Sequence, residues 1–178
     1  MLPESAALHT ALALSKLGQG DRESAIAELE AAANLDEQSP RAGVLLVMTH
    51  LQTKDFSKAL KAAEELEKEQ VDSPLVQNLK GSIYVGMQDL AKARASFEKA
   101  LALQQDYFPA ISNLARLDVQ ENNLERAKNR FEDVLKRDKK HIQAMHALAG
   151  IALTQNNKNE AITWFERASN ENPNELQP

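Results

Sequence analysis

Leu148-Ala149, followed by Ala161-Ile162-Thr163-Trp164-Phe165-Glu166-Arg167-Ala168 and then Pro173, is the stretch whose reading decides the whole chain. Its pattern recurs upstream at one interval. Steps of 34 residues back from Ala161 land on Ala127, Ala93, Ala59 and Ala25, an alanine every time and without insertion or deletion. Five blocks result, 6–39, 40–73, 74–107, 108–141 and 142–175. A fixed period in this range is the mark of stacked units that share one continuous core. Residues 1–178 are therefore expected to form a single array rather than separate compact domains.

Counting places from the start of each block, place 7 holds Leu12, Leu46, Lys80, Leu114 and Leu148, and place 8 holds Ala13, Val47, Gly81, Ala115 and Ala149. Place 24 is Leu29, Ala63, Phe97, Phe131 and Phe165, and place 27 is Ala32, Leu66, Ala100, Val134 and Ala168. Spacings of three, four and seven within each half are helical. The punctuation divides each block into two helices. Gly18-Gln19-Gly20-Asp21, Lys54-Asp55, Gln88-Asp89, Asn122-Asn123 and Asn156-Asn157 are residues that accept a left-handed conformation or cap the next helix. Ser39-Pro40, Ser73-Pro74, Phe108-Pro109 and Asn172-Pro173-Asn174 separate the blocks, where proline suits a first helical turn. Small residues at places 8 and 20 let the two helices approach closely, and place 24 fills the space beside that contact. Repeat 2, with Ala63 at place 24, departs from this scheme.

Composition agrees. The chain is 43% hydrophobic but only 4% aromatic, so small side chains carry the packing. A net charge of −5 is mild and gives no steering toward nucleic acid or membrane. The absence of cysteine excludes disulfides, thiolate metal sites and a cysteine nucleophile. No apolar run reaches the roughly 18 residues of a membrane span, and Met1-Leu2-Pro3-Glu4 leads directly into repeat-like sequence. Pro3 falls at place 32 of a block that would precede residue 6, and Leu176-Gln177-Pro178 starts a sixth. With no polar capping helix at either end, the expectation is a segment cut from a longer array. Its end faces would then be apolar and suited to stacking against other copies.

This 34-residue helix–turn–helix resembles the tetratricopeptide repeat along essentially the whole chain. Repeat 3 keeps Gly81, Tyr84, Ala93, Phe97 and Ala100, and repeat 5 adds Pro173, although the early tryptophan of the pattern is missing throughout. The resemblance implies an all-α fold, a right-handed α-solenoid superhelix of five stacked units with the first helix of each lining a concave groove. The groove places are 2, 5, 9, 12 and 13, which nominates Thr10, Leu14, Val44, Met48, Gln52, Asn78, Ser82, Ser112, Arg116 and His146. These grade from apolar near Leu14, Val44 and Met48 to polar near Ser112, Arg116 and His146, and suit an extended segment with an apolar end and a polar or acidic end. Place 12 is apolar in all five repeats, for packing or for lining. The lysines and asparagines with which chaperone-binding relatives hold a carboxylate are replaced by Thr10, Leu14 and Leu45.

No catalytic, cofactor or metal motif is present. His141 and His146 are five residues apart, off the spacing that sets two ligands on one helix face. His9 and His50 lie in different repeats without a nearby carboxylate pattern and are expected at the surface or in the groove. Glu64-Glu65 and Glu132-Asp133 read as solvated helix faces. The basic run from Arg126 to Lys140 sits in a block of 8 basic and 6 acidic residues, with Glu132–Lys136 and Asp133–Arg137 expected as i, i+4 pairs. Without interleaved aromatics it offers nucleic acid no stacking surface. The function expected is a non-catalytic scaffold for a protein or peptide segment, without a cofactor. The alanine-rich, uniform units are similar to bacterial envelope arrays, among them repeat lipoproteins of exosortase and exopolysaccharide systems, which implies a periplasmic or envelope location. The alternative is a spacer or self-assembly segment that works through its end faces.

Overall fold

The computed structural model describes residues 5–35 and 40–171. Pro3, Ser39, Asn172-Pro173-Asn174 and Leu176-Gln177-Pro178 lie outside the described residues, so the end-of-array expectations attached to them do too. The described residues form ten helices and no strand: α1 (Ala6–Gly18), α2 (Arg22–Leu35), α3 (Pro40–Gln52), α4 (Phe56–Glu69), α5 (Pro74–Gly86), α6 (Leu90–Leu103), α7 (Phe108–Gln120), α8 (Leu124–Arg137), α9 (Ile142–Thr154) and α10 (Lys158–Glu171). In every block the first helix, A, fills places 1–13 and the second, B, places 17–30. The helices form two compact units, α1–α6 within residues 1–105 and α7–α10 within residues 106–178. In each unit consecutive helices pack against one another.

One turn is built five times over. Place 15 adopts the left-handed conformation in each repeat, at Gly20, Lys54, Gln88, Asn122 and Asn156, with φ between 59° and 80°. The amide of place 15 donates to the carbonyl of place 12 at 2.9–3.1 Å, and that of place 16 donates to place 11 at 2.8–3.0 Å. This is a Schellman closure, which satisfies the last carbonyls of helix A. Place 16 is Asp21, Asp55, Asp89, Asn123 or Asn157, and its side-chain oxygen accepts from the amide of place 19 at 3.1–3.3 Å. The same residue thus ends one helix and caps the next. Proline opens α3 and α5 and stands second in α7; at α9 the Nδ1 of His141 accepts from the amide of Ala144 at 3.2 Å instead.

The packing follows the expected places. Ala25, Ala59, Ala93, Ala127 and Ala161 are all buried, as are Ala13, Val47, Gly81, Ala115 and Ala149. In repeat 3 the ring of Phe97 lies directly over Gly81, so that a Cβ there would strike three ring carbons. Repeat 2 exchanges sizes: Ala63 is small, and Leu66 one turn later packs over Gly43, its Cδ1 3.1 Å from where a Cβ would be. Leu66 and Ala63 join Val47, Ala59, Val76, Leu79 and Ile83 in one core cluster of the first unit. Phe131 of the second unit is buried beside Phe108, with ring centroids 6.1 Å apart. Phe165, at the same place in repeat 5, is 44% exposed.

Polar locks join repeats inside each unit. Glu67 accepts from Gln77 and Lys80 at 2.6 Å each and from Lys99 at 3.2 Å. Chiefly through the Lys80 hydrogen bond, its carboxyl is held down to about 2. In the second unit Lys128 reaches from repeat 4 to Glu160 of repeat 5 at 2.7 Å, while within repeat 4 the fully buried Asp118 is held by Arg130 at 2.5 Å.

Candidate protein-binding faces

The helix A face of the first unit carries seven of the nominated residues. Thr10 is buried and its hydroxyl donates back to the Ala6 carbonyl at 2.7 Å. Leu14 and Met48 are exposed, at 39% and 44%. Val44 is half-buried and packs on the core cluster, whereas Gln52 is exposed. Asn78 and Ser82 are half-buried, and the Ser82 hydroxyl donates to the Asn78 carbonyl at 3.0 Å. Val85, at place 12, adds a further exposed apolar residue to this face, while Leu51 at the same place packs on the core.

A cavity of about 220 Å³ opens among Thr10 and Leu14 of α1, Ala32 of α2, and Arg41 and Ala42 of α3. Alanines leave this space because a methyl group stops short of the neighbouring helix. Arg41 sits on its rim at place 2. Sequence reasoning included that place but did not single out the residue, although a lone cation among alanines was visible there.

On the second unit, Ser112 is half-buried on α7 and Arg116 is exposed one turn later. His146 is exposed on α9, its ring 5.8 Å from that of Phe165. Beside it Gly150 leaves open space, with nothing within 4 Å of a built Cβ. At place 12 of this face Leu153 is 49% exposed, so an apolar side chain stands beside the polar Arg116 and His146.

The histidines are dispersed rather than gathered. His9 Nδ1 lies 2.6 Å from a Glu28 carboxylate oxygen, a carboxylate partner that linear spacing did not reveal. His50 is 3% exposed rather than on the surface or in the groove, and burial pushes its pKa down. Among the described residues no three His, Cys, Asp or Glu side chains are placed to hold a metal ion. The basic run is locally balanced: besides the Asp118 and Glu160 contacts, Lys140 meets Glu171 at 2.9 Å. Lys136 binds Asp133 at 2.7 Å, next to the expected Glu132 partner, whose charge also acts on it. No described helix is long and apolar enough to cross a membrane.

A family model described as tetratricopeptide repeat matches residues 16–83, 84–143 and 119–177. No curated protein matches the sequence. Among solved structures, a thermophilic TPR protein of Thermus thermophilus superposes with TM-score 0.73 at 17% identity, over 97% of this chain and 94% of the other. PilF of Pseudomonas aeruginosa gives 0.70 at 17% identity, over 93% and 76%. YrrB, described as a TPR protein with an unusual peptide-binding site, gives 0.56 at 17% identity, over 97% and 89%. At these identities the likeness is one of fold, that of the all-α helical-repeat solenoids.

Proposed function

The chain belongs to the tetratricopeptide repeat family, and from that premise we propose that it is a non-catalytic scaffold that binds an extended protein or peptide segment along its helix A faces. Repeats of this family mediate protein–protein interaction. The carrying observation is the exposure of Leu14 and Met48 on the helix A face of the first unit. Fold maintenance explains buried places 8 and 20; it asks nothing of exposed apolar residues at place 9. Gln52 adds a polar contact on the first unit's face, which suits apolar side chains; the second unit's face, with Arg116 and His146, suits polar or acidic ones. The peptide-binding site in the description of YrrB, a protein of the same fold, supports this reading. An envelope or export assembly is the setting that the alanine-rich, uniform repeats suggest.

A second reading, a spacer or self-assembling segment, draws on Leu8 and Leu12 at the first repeat. Both are exposed at places 3 and 7, whereas Ala42, Val76, Ala110 and Ala144 at place 3 are buried. Photo-crosslinking in native extract separates the two. A crosslinking residue at Met48 or Arg116 should capture one partner, which a Met48→Asp/Arg116→Glu variant of equal melting temperature releases. Capture only at Leu8 or Trp164, and only of the protein itself, would replace the scaffold with the spacer.

A further inference from the structure

A larger cavity, of about 710 Å³, opens in the first unit between α2, α3 and α4. On α3 it is bounded by Gly43, Leu46 and His50, at places 4, 7 and 11, a face distinct from that of Leu14 and Met48. Its origin becomes plain when the same four places are compared one repeat later. Between repeats 2 and 3, place 28 is Glu67, place 4 is Gln77, place 7 is Lys80 and place 26 is Lys99, and the three donors close on the one carboxylate. Between repeats 1 and 2 these places are Ala33, Gly43, Leu46 and Glu65, and all four line the cavity. The lock has been emptied.

The charge at place 26 has also been reversed. At the filled junction Lys99 reaches across to an acid at place 28. At the vacant one Glu65 stands where Lys99 does, and place 28 offers only the Ala33 methyl. The group that completes the junction is therefore a cation. Glu30 lies on the same rim. Glu69 adds a third acid to the lining, and two lysines of α4 border the cavity as well: Lys61, whose charge adds to the Lys68 hydrogen bond in holding the Glu65 carboxyl below its usual range, and Lys58, engaged by Asp55 at 3.3 Å. Lys68, further along α4, meets Glu65 at 2.7 Å but is 70% exposed, a pairing of the kind that contributes little and yields readily.

A second observation is an unpartnered polar atom in the same wall. His50 lines the cavity at 3% exposure, and its Nδ1 is buried without a hydrogen-bond partner. Burial favours the neutral ring, and a neutral imidazole keeps one acceptor nitrogen. An orphaned buried polar atom is costly until a partner is supplied.

We propose that this cavity docks a lysine or arginine side chain presented by a partner protein. The aliphatic stem lies over Ala33, Gly43 and Leu46. The cationic head meets Glu65 and Glu30, and its N–H groups complete the polar wall at His50. This surface works independently of the helix A faces, so either reading can fail without the other.

The test uses the full chain, isotopically labelled, titrated with the blocked tripeptide acetyl-Leu-Arg-Leu-amide and followed by NMR. Saturable shifts are expected at the amides of Gly43, His50 and Ala62, with at least tenfold weaker binding when uncharged citrulline replaces arginine. Ala33→Leu should abolish the shifts while leaving the melting temperature equal or higher, since place 28 is already leucine at Leu101 and Leu135. The surface variant Glu65→Gln should weaken binding at least fivefold, and it reports independently if Ala33→Leu misfolds. No saturable shift, equal binding of the citrulline peptide, or shifts confined to Leu14 and Met48 would overturn the proposal.

Discussion

Substituting Gly81→Ala pits helix propensity against packing, and the structure says which wins. In a helix interior, replacing glycine with alanine ordinarily stabilises by about 1 kcal/mol. At Gly81 the new methyl carbon would land on Cδ1, Cε1 and Cζ of Phe97, well inside van der Waals contact. Phe97 is 1% exposed, so the ring has no solvent to move into. Overpacking a well-filled core costs about 1–3 kcal/mol, and a rigid ring struck on three atoms belongs at the upper end. The net expectation is a loss of about 2 kcal/mol. For a chain of this length that lowers the melting temperature by about 4–8 °C in thermal denaturation followed by circular dichroism. Two controls accompany it. Gly150→Ala has nothing within 4 Å of the new carbon and should raise the melting temperature. Gly81→Ala/Phe97→Leu recreates the Ala13/Leu29 combination of repeat 1, where both residues are fully buried, and should recover part of the loss. Repeat 4 does pair Ala115 with Phe131, but there the ring leans on Phe108, and repeat 3 has Pro74 at that place. If Gly81→Ala melts with or above the parent, Phe97 can swing as Phe131 does, and the close contact is not what requires glycine.

Other substitutions probe the locks, turns and core. Glu67→Gln should cost about 1–2 kcal/mol at neutral pH after solvent screening of a three-donor site. Because the folded pKa of Glu67 is depressed from 4.5 to about 2, its contribution is complete above 4.5 and disappears as pH falls toward 2. Parent and variant melting curves should therefore converge across that window, and a constant gap would remove Glu67 from the account. Lys54→Gly relieves a non-glycine residue at φ 59° and should stabilise by about 0.5–1 kcal/mol in urea titration, whereas Asn123→Ala removes a helix cap and should cost about 1. Opposite signs are required. Phe131→Ala, emptying a site that is 4% exposed, should cost about 3–5 kcal/mol in the same titration.

The chain by itself determined the period, the two helices per block and the residues that pack them. Those signals are short-range: apolar spacing selects the helix, and an Asx side chain at place 16 can cap within three residues. The left-handed place 15 was legible at Gly20 and Asn122, less so at Lys54 and Gln88, where the closure imposes the conformation on the residue. The nominated binding residues were legible only as places; how much Thr10 or Val44 offers a partner depends on rotamers and on neighbouring repeats. Tertiary structure alone decided that His50 is buried, that Glu28 meets His9, that Leu66 packs over Gly43, and that Ala33 and Gly43 leave a cavity where Glu67 and Gln77 leave none. Each of these depends on which side chain of another helix, 10 to 30 residues away, reaches into the same volume. A linear pattern records each side chain's size and charge, but only the packed helices decide which of them meet.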